Sequence, residues 1–261
     1  MMELTKSKKK VSLVLGGGGA RGLTQIGVVK YLIEQGFEVD EVVGCSIGAL
    51  VGAAVVMNRT KELSNWMETL TKRQVFRLMD FANPRFGLLK GDRVLERLHD
   101  VFSDINIEDL PIRYTAIATD LRNEEEVIFR TGSIYTAIRA SMAIPGVFRG
   151  VVFGDRFLVD GGVLNNVPVN HVQHKNNVII AVNLDGLPEQ KGDKIPRLGA
   201  IGLLQESYYV MRRKMSAMNL ALFKPDFTIS VSQDSAGIWE FHRSNELIER
   251  GYQLAKEAIE A

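Results

Sequence analysis

The chain has 261 residues, 46% of them hydrophobic, enough for a sizeable core in one large domain or two small ones. With 32 basic against 31 acidic residues the net charge is +1, which leaves no electrostatic case for nucleic acid as a partner. The single cysteine, Cys45, excludes an intrachain disulfide and argues for no oxidising compartment, so the cytoplasm is the expected location, with peripheral contact at a membrane left open.

Residues 1–10 carry Lys6, Lys8, Lys9 and Lys10 and are read as a flexible basic tail. Attraction of these charges to anionic lipid would alone be marginal. The apolar run that follows, Val11 to Leu15, is too short for a signal-peptide core. No window of the sequence reaches the length needed to span a bilayer.

Val11–Leu15 reads as a buried first strand. It enters Gly16-Gly-Gly-Gly-Ala-Arg-Gly22 directly. Ile26, Val29, Tyr31, Leu32 and Ile33 then have roughly helical spacing, with Gly36 as a C-cap. A strand, a glycine loop and a helix make an anion site, because backbone N–H groups point outward. The anion is either a pyrophosphate or the oxyanion of an acyl-transfer intermediate. Gly17-x-Gly19-x-x-Gly22 formally matches the dinucleotide fingerprint, which also calls for an acidic residue ending the second strand. Asp40 and Glu41 are read as preceding that strand, which ends in Gly44-Cys45-Ser46. The dinucleotide reading is therefore disfavoured.

Val42-Val-Gly-Cys-Ser-Ile-Gly48, followed by small residues, reads as a strand, a tight turn holding a serine, and a closely packed helix. That is the geometry of a nucleophile elbow, with glycines where a Cβ would collide. Helices are expected over Gly48–Met57 and Thr60–Thr71. Residues 73–90 mix apolar and basic side chains, read either as core packing or as a mobile apolar cap. Another helix opens at Gly91-Asp92. Tyr114–Asp120 and Val127–Phe129 read as hairpin strands, Ser133 as a helix cap, and Val151–Phe153 with Phe157–Val159 as a second hairpin. Val178–Val182 and Phe227–Val231 are further strands. A long helix is expected from about Arg197 to Phe223, its Met211, Met215 and Met218 read as adaptable core. Asn245–Ile259 is a final amphipathic helix. No linker divides residues 11–261, which read as a single domain of alternating strands and helices.

A serine needs a base to act as a nucleophile. None of the four histidines, His99, His171, His174 and His242, lies in a glycine-rich or strand-end context, although His171 is close in sequence to Asp160. Asp160 is the better candidate. It ends the strand Phe157-Leu-Val159, and Gly161-Gly162 let the chain turn away. Sites of open α/β sheets lie at such strand ends. Burial beside a serine would raise its basicity.

Gly16–Gly22, Gly44–Gly48 and Asp160–Gly162, in that order, resemble the three signatures of the patatin-like phospholipases. Ala140-Ser-Met-Ala-Ile-Pro-Gly-Val-Phe148 and Gly161-Gly-Val-Leu-Asn-Asn-Val-Pro168 are similar to that family too. The resemblance runs from about Val11 to Val182. It implies a three-layer α/β/α fold with a mostly parallel central sheet, and a serine acyl hydrolase that releases fatty acids from lipid esters. Ser46 would be the nucleophile, Asp160 the base, and the N–H groups of Gly17, Gly18 and Gly19 the oxyanion hole. Arg21 is expected to tie the glycine loop down through carbonyl or carboxylate contacts. No metal or cofactor is implied, and the expected partner is a lipid or acyl-ester substrate. A non-catalytic regulatory or lipid-binding relative on the same fold is the alternative.

Overall fold

Val11–Leu15 is buried along its whole length, as a parallel strand covered by helices on both faces must be. The computed structural model describes residues 9–78, 80, 89–189 and 199–261. Its strands are β1 (Lys10–Leu15), β2 (Glu38–Cys45), β3 (Arg113–Asp120), β4 (Glu125–Phe129), β5 (Val151–Phe153), β6 (Arg156–Asp160), β7 (Val178–Gly186) and β8 (Phe227–Ser232). Its helices are α1 (Leu23–Glu34), α2 (Ile47–Val56), α3 (Thr60–Glu68), α4 (Lys72–Leu78), α5 (Asp92–Leu98), α6 (Ile134–Ser141), α7 (Ala200–Phe223) and α8 (Ser244–Glu260).

The strands form one sheet in the order β5-β6-β3-β2-β1-β7-β8, with β4 also on β3. The run β3-β2-β1-β7-β8 is parallel, and β4, β5 and β6 join antiparallel. Side chains alternate between faces along each strand. Leu13, Leu15, Val42, Ile180 and Val182 enter the larger core, with α1, α2 and α8. Val14, Val43 and Ala181 enter a smaller core on the other face, with Val167, Val169 and Leu220 of α7. Helices on both faces of a mostly parallel sheet give three α/β/α layers.

The register on β3 has a direct bearing on function. Ile117 pairs with Cys45 of β2 and with Ile128 of β4. Ala118 pairs with Val127 of β4 and with Asp160 of β6. A strand has two edges, so β2 and β6 share the edge opposite β4. The strand β2 runs parallel to β3 and β6 runs antiparallel, and their C-terminal ends meet head to head at Ile117 and Ala118. Residues 45 and 160, far apart in the chain, are thereby brought together.

Several sequence expectations change. Strand β2 starts at Glu38, so Asp40 and Glu41 lie inside it rather than before it. They are retained there because partners meet them: Lys10, His174 and Asn177 bond to Asp40, and Ser12 to Glu41. Lys10 opens β1 rather than belonging to a tail, and residues 1–8 of that tail lie outside the described residues. Most of the expected cap between 79 and 88 lies outside them as well, as does the start of the long helix before 199. Met211 and Met218 are not core. They are 58% and 69% exposed, because the inward face of α7 is a polar stripe of Arg212, Ser216 and Asn219. Among the described residues, no helix is long and apolar enough to cross a membrane.

Candidate active site

Three loops converge at the C-terminal ends of the parallel strands. The first is the turn from β2 into α2. Ser46 occupies it with φ +55° and ψ −126°, a region a non-glycine residue enters only when its surroundings hold it there. Packing supplies that hold. A Cβ on Gly44 would lie 2.5 Å from the Gly48 carbonyl, and one on Gly48 would lie 2.1 Å from that of Leu15, so neither position has room for a side chain. The Ser46 N–H donates to the Ser141 hydroxyl at 2.8 Å, and that hydroxyl donates to the Ile117 carbonyl at 2.6 Å. Ser141 thus bridges the junction where β3 changes partner from β2 to β6.

Asp160 ends β6 and is 2% exposed. Its Oδ1 accepts the Gly162 N–H at 2.7 Å. Burial pushes the carboxyl up to about 6, against the pull of the Ser46 hydroxyl, the Gly162 N–H and the Arg212 charge. Its Oδ2 is buried and accepts no hydrogen bond. Cys45 is buried beside Ser46 and Asp160, its Sγ 3.9 Å from both Asp160 Oδ1 and Asn166 Oδ1. Burial, reinforced by the Asp160 charge, pushes the thiol pKa well up, so Cys45 stays neutral.

The glycine loop lies against Ser46: a Cβ on Gly17 would fall 2.9 Å from that of Ser46. The Gly17 N–H is donated to the Asn166 carbonyl at 3.3 Å. The N–H groups of Gly18 and Gly19 meet no acceptor among the described residues. Arg21 is 3% exposed, and burial, with repulsion from Arg212, lowers its pKa to about 10. Its Nε donates to the Gly18 carbonyl and its Nη1 to that of Gln233, both at 3.2 Å. It ties the loop down through carbonyls.

Ser46 and Gly19 open onto a cleft. Its remaining lining is apolar, including Leu50, Met67, Met142, Phe148 and Trp239. Val75, Leu78 and Leu89, from the 73–90 stretch, belong to it. The Met211–Phe223 stretch contributes nothing to it, because that helix turns Arg212, Ser216 and Asn219 inward.

No histidine hydrogen-bonds to Ser46 or Asp160. His171 pairs with Glu126 at 2.7 Å, His174 with Asp40 at 2.5 Å, and the His99 ring packs 4.6 Å from that of Tyr135. Among the described residues, no group of three or more His, Cys, Asp or Glu is arranged to hold a metal ion. Ser141 and Asn166 lie inside the sequence motifs, which by themselves assign neither a role. The role of Ser141 needs the register of β3 to be seen.

A mostly parallel α/β/α sheet with a strained serine elbow, a buried carboxylate at the end of a neighbouring strand and a glycine loop between them defines a class of serine-elbow α/β protein. Residues 13–172 match the model of the patatin-like phospholipases, and the chain belongs to that family. Over 181 residues it is 40% identical to uncharacterized NTE family proteins of Mycobacterium bovis and Mycobacterium tuberculosis, covering 69% of this chain and 50% of theirs. Neuropathy target esterase sws of Drosophila melanogaster is 35% identical over 182 residues, covering 67% of this chain and 13% of that protein. The chain thus spans about half the length of the mycobacterial relatives and a small part of the insect one. The solved structure of VipD from Legionella pneumophila shares the fold, with a TM-score of 0.52 at 12% identity over 96% of this chain and 66% of that one.

Proposed function

We propose that this protein is a serine acyl hydrolase of phospholipase A type, cleaving lipid esters with Ser46 as nucleophile and Asp160 as base. The observation that carries this reading is the juxtaposition at Ser46. The serine is strained into the elbow beside a buried carboxylate whose pKa is raised to about 6 and whose second oxygen has no partner. Family membership and the similarity to proteins named neuropathy target esterase support lipid ester hydrolysis in general. The apolar lining of the cleft beside Ser46 supports an acyl chain as the bound group.

Chemistry follows from the groups present. Ser46 Oγ attacks the ester carbonyl while Asp160 takes the hydroxyl proton, and the carbonyl oxygen becomes an oxyanion. The N–H groups of Gly18 and Gly19 are free to bind it, while that of Gly17 is held by Asn166 and sets the loop. The N-terminus of α2 begins at Ile47 and adds a favourable dipole. Collapse breaks the ester C–O bond, and the leaving alkoxide takes the proton from Asp160. Water then attacks acyl-Ser46, giving a proton to Asp160 that returns to Ser46 Oγ as the fatty acid leaves. A base with a pKa near 6 is ionised at neutral pH and more basic than a free aspartate, which suits it to this exchange.

The test is covalent labelling. A fluorophosphonate should modify Ser46, identified by peptide mass, and Ser46→Ala should abolish both labelling and hydrolysis of p-nitrophenyl acyl esters. Folded wild-type protein that neither labels nor hydrolyses would rule the reading out.

A further inference from the structure

Resting on that reading, we infer that Asn166 is a positioning residue for the oxyanion hole, aiming the Gly18 N–H and itself held in place by Asp185 and Arg212. A run of consecutive glycines has no side chains and little preference in φ, so its peptide planes rotate unless something outside the run fixes them. An oxyanion hole cannot work that way, because its donors must already point at the developing charge.

The loop shows how the planes are fixed. In a trans peptide the C=O of one residue and the N–H of the next lie in one plane and point in opposite directions. Holding the carbonyl therefore aims the N–H. The Gly16 carbonyl accepts from Gln25 Nε2 at 2.7 Å, that of Gly17 from Asn166 Nδ2 at 2.9 Å, and that of Gly18 from Arg21 Nε at 3.2 Å. Three successive planes are each gripped by one side chain. The first of the three N–H groups, on Gly17, is spent on the Asn166 carbonyl. The other two are the free donors on Gly18 and Gly19. Asn166 sets the first of these and Arg21 the second.

The orientation of the Asn166 amide is fixed by chemistry. Its Nδ2 faces two groups that can only accept, the Gly17 carbonyl at 2.9 Å and Asp185 Oδ2 at 2.6 Å. A flipped amide would set an oxygen against both. Both Nδ2 hydrogens are thus committed, one to the loop and one to the anchor. The anchor is rigid. Asp185, 4% exposed at the end of β7, receives Arg212 Nε at 3.1 and 3.0 Å, Arg212 Nη2 at 2.5 Å and the Ser216 hydroxyl at 3.2 Å. Burial alone would lower the Arg212 pKa, but the Asp185 carboxylate outweighs it and keeps the guanidinium charged. A two-point, charge-assisted pair of this kind has one geometry. The polar stripe of α7 thereby fixes one donor of the oxyanion hole without touching the substrate.

The experiment compares kcat, KM and Tm of wild type, Asn166→Ala and Asn166→Leu, using a p-nitrophenyl acyl ester. Removing an oxyanion donor outright costs about 10²–10³ in rate, and a misaimed one should approach the lower figure. Asn166→Ala is therefore expected to lose about 10²-fold in kcat with KM changed by less than about threefold, the signature of an interaction made in the transition state. Asn166→Leu keeps the side-chain volume and leaves the Asp185–Arg212 pair in place, but has no N–H for the Gly17 carbonyl. Its Tm should lie above that of Asn166→Ala while kcat stays as low, which a role in packing alone would not produce. If Asn166→Ala does not fold, Asn166→Leu carries the test.

The inference is overturned if folded Asn166→Ala or Asn166→Leu keeps kcat within about threefold of wild type. Inactive wild-type protein would instead remove the acyl-hydrolase reading beneath it.

Discussion

Two ends of the same sheet carry buried carboxylates, and they are treated in opposite ways. At the N-terminal ends of β1, β2 and β7, Glu41 is fully buried and accepts from the Ser12 hydroxyl and the N–H groups of Gln173 and His174, at 2.7–3.0 Å. Asp40 beside it accepts from Asn177, Lys10 and His174, and these partners hold its carboxyl far below the usual range. At the C-terminal end, Asp160 has one backbone partner and an unpartnered oxygen, and its pKa moves up. The difference teaches how to read a buried acid here. A carboxylate with both oxygens satisfied is a structural anchor. One left partly unsatisfied costs stability and keeps its basicity for another use.

That contrast can be broken or sharpened by measurement. The largest effect is expected at Asp160. Asp160→Asn keeps shape but removes the base, and kcat for ester hydrolysis should fall by at least about 10³-fold, within the range general bases contribute. The same variant should be more stable at alkaline pH. The folded pKa of about 6 lies above the ordinary value of 3.8, so the folded protein holds the proton more tightly than the unfolded chain does. Stability linked to this group is fully present below pH 3.8 and is lost as pH rises through 6. Asparagine never ionises, so urea melts at pH 8 should favour the variant by about 3 kcal/mol, a margin that vanishes near pH 4. An Asp160→Asn protein less stable than wild type at pH 8 would mean that the charge is not a burden.

Glu41→Ala should do the reverse. It strips the acceptor from three donors at once, at a cost of roughly 3 kcal/mol in urea melts, with kcat unchanged within about twofold. A loss of kcat in folded protein would show that the two ends are coupled. The smallest effect is on the pH–rate profile. Because Asp160 must be ionised to accept the Ser46 proton, kcat/KM should fall about tenfold per pH unit below the Asp160 pKa of about 6 and level off above it. A profile flat to pH 5 would assign the base elsewhere.

Much of this was legible in the sequence, for a physical reason. Gly44, Ser46, Gly48 and Asp160 are constrained by local sterics and strand-end geometry, which short motifs record. The parallel strands were legible because their two-sided burial leaves continuous aliphatic runs such as Val178–Val182. What the sequence hid depends on contacts between distant segments. The methionines of α7 looked like a core face because apolar residues at helical spacing usually are one. The counter-signal was on the same helix: Arg212, Ser216 and Asn219 repeat at four and three residues and form the neighbouring stripe, about 100° round the helix. Whether such a stripe faces water or a buried carboxylate depends on Asp185, which lies on another element. Ser141 was hidden for the same reason, since only the pairing of β3 shows the vacant carbonyl it fills.

The shared edge of β3 makes it a ruler for the chemistry. With Cys45 opposite Ile117 and Asp160 opposite Ala118, the distance from Ser46 to its carboxylate is set by adjacent rungs of one ladder. A slip of β6 by a single rung would carry Asp160 about 3.3 Å along the strand and turn its side chain to the opposite face. The hairpin of β5 and β6 therefore has no intermediate setting. Insertions or deletions that rephase it should act as an on–off change, even where every motif remains intact.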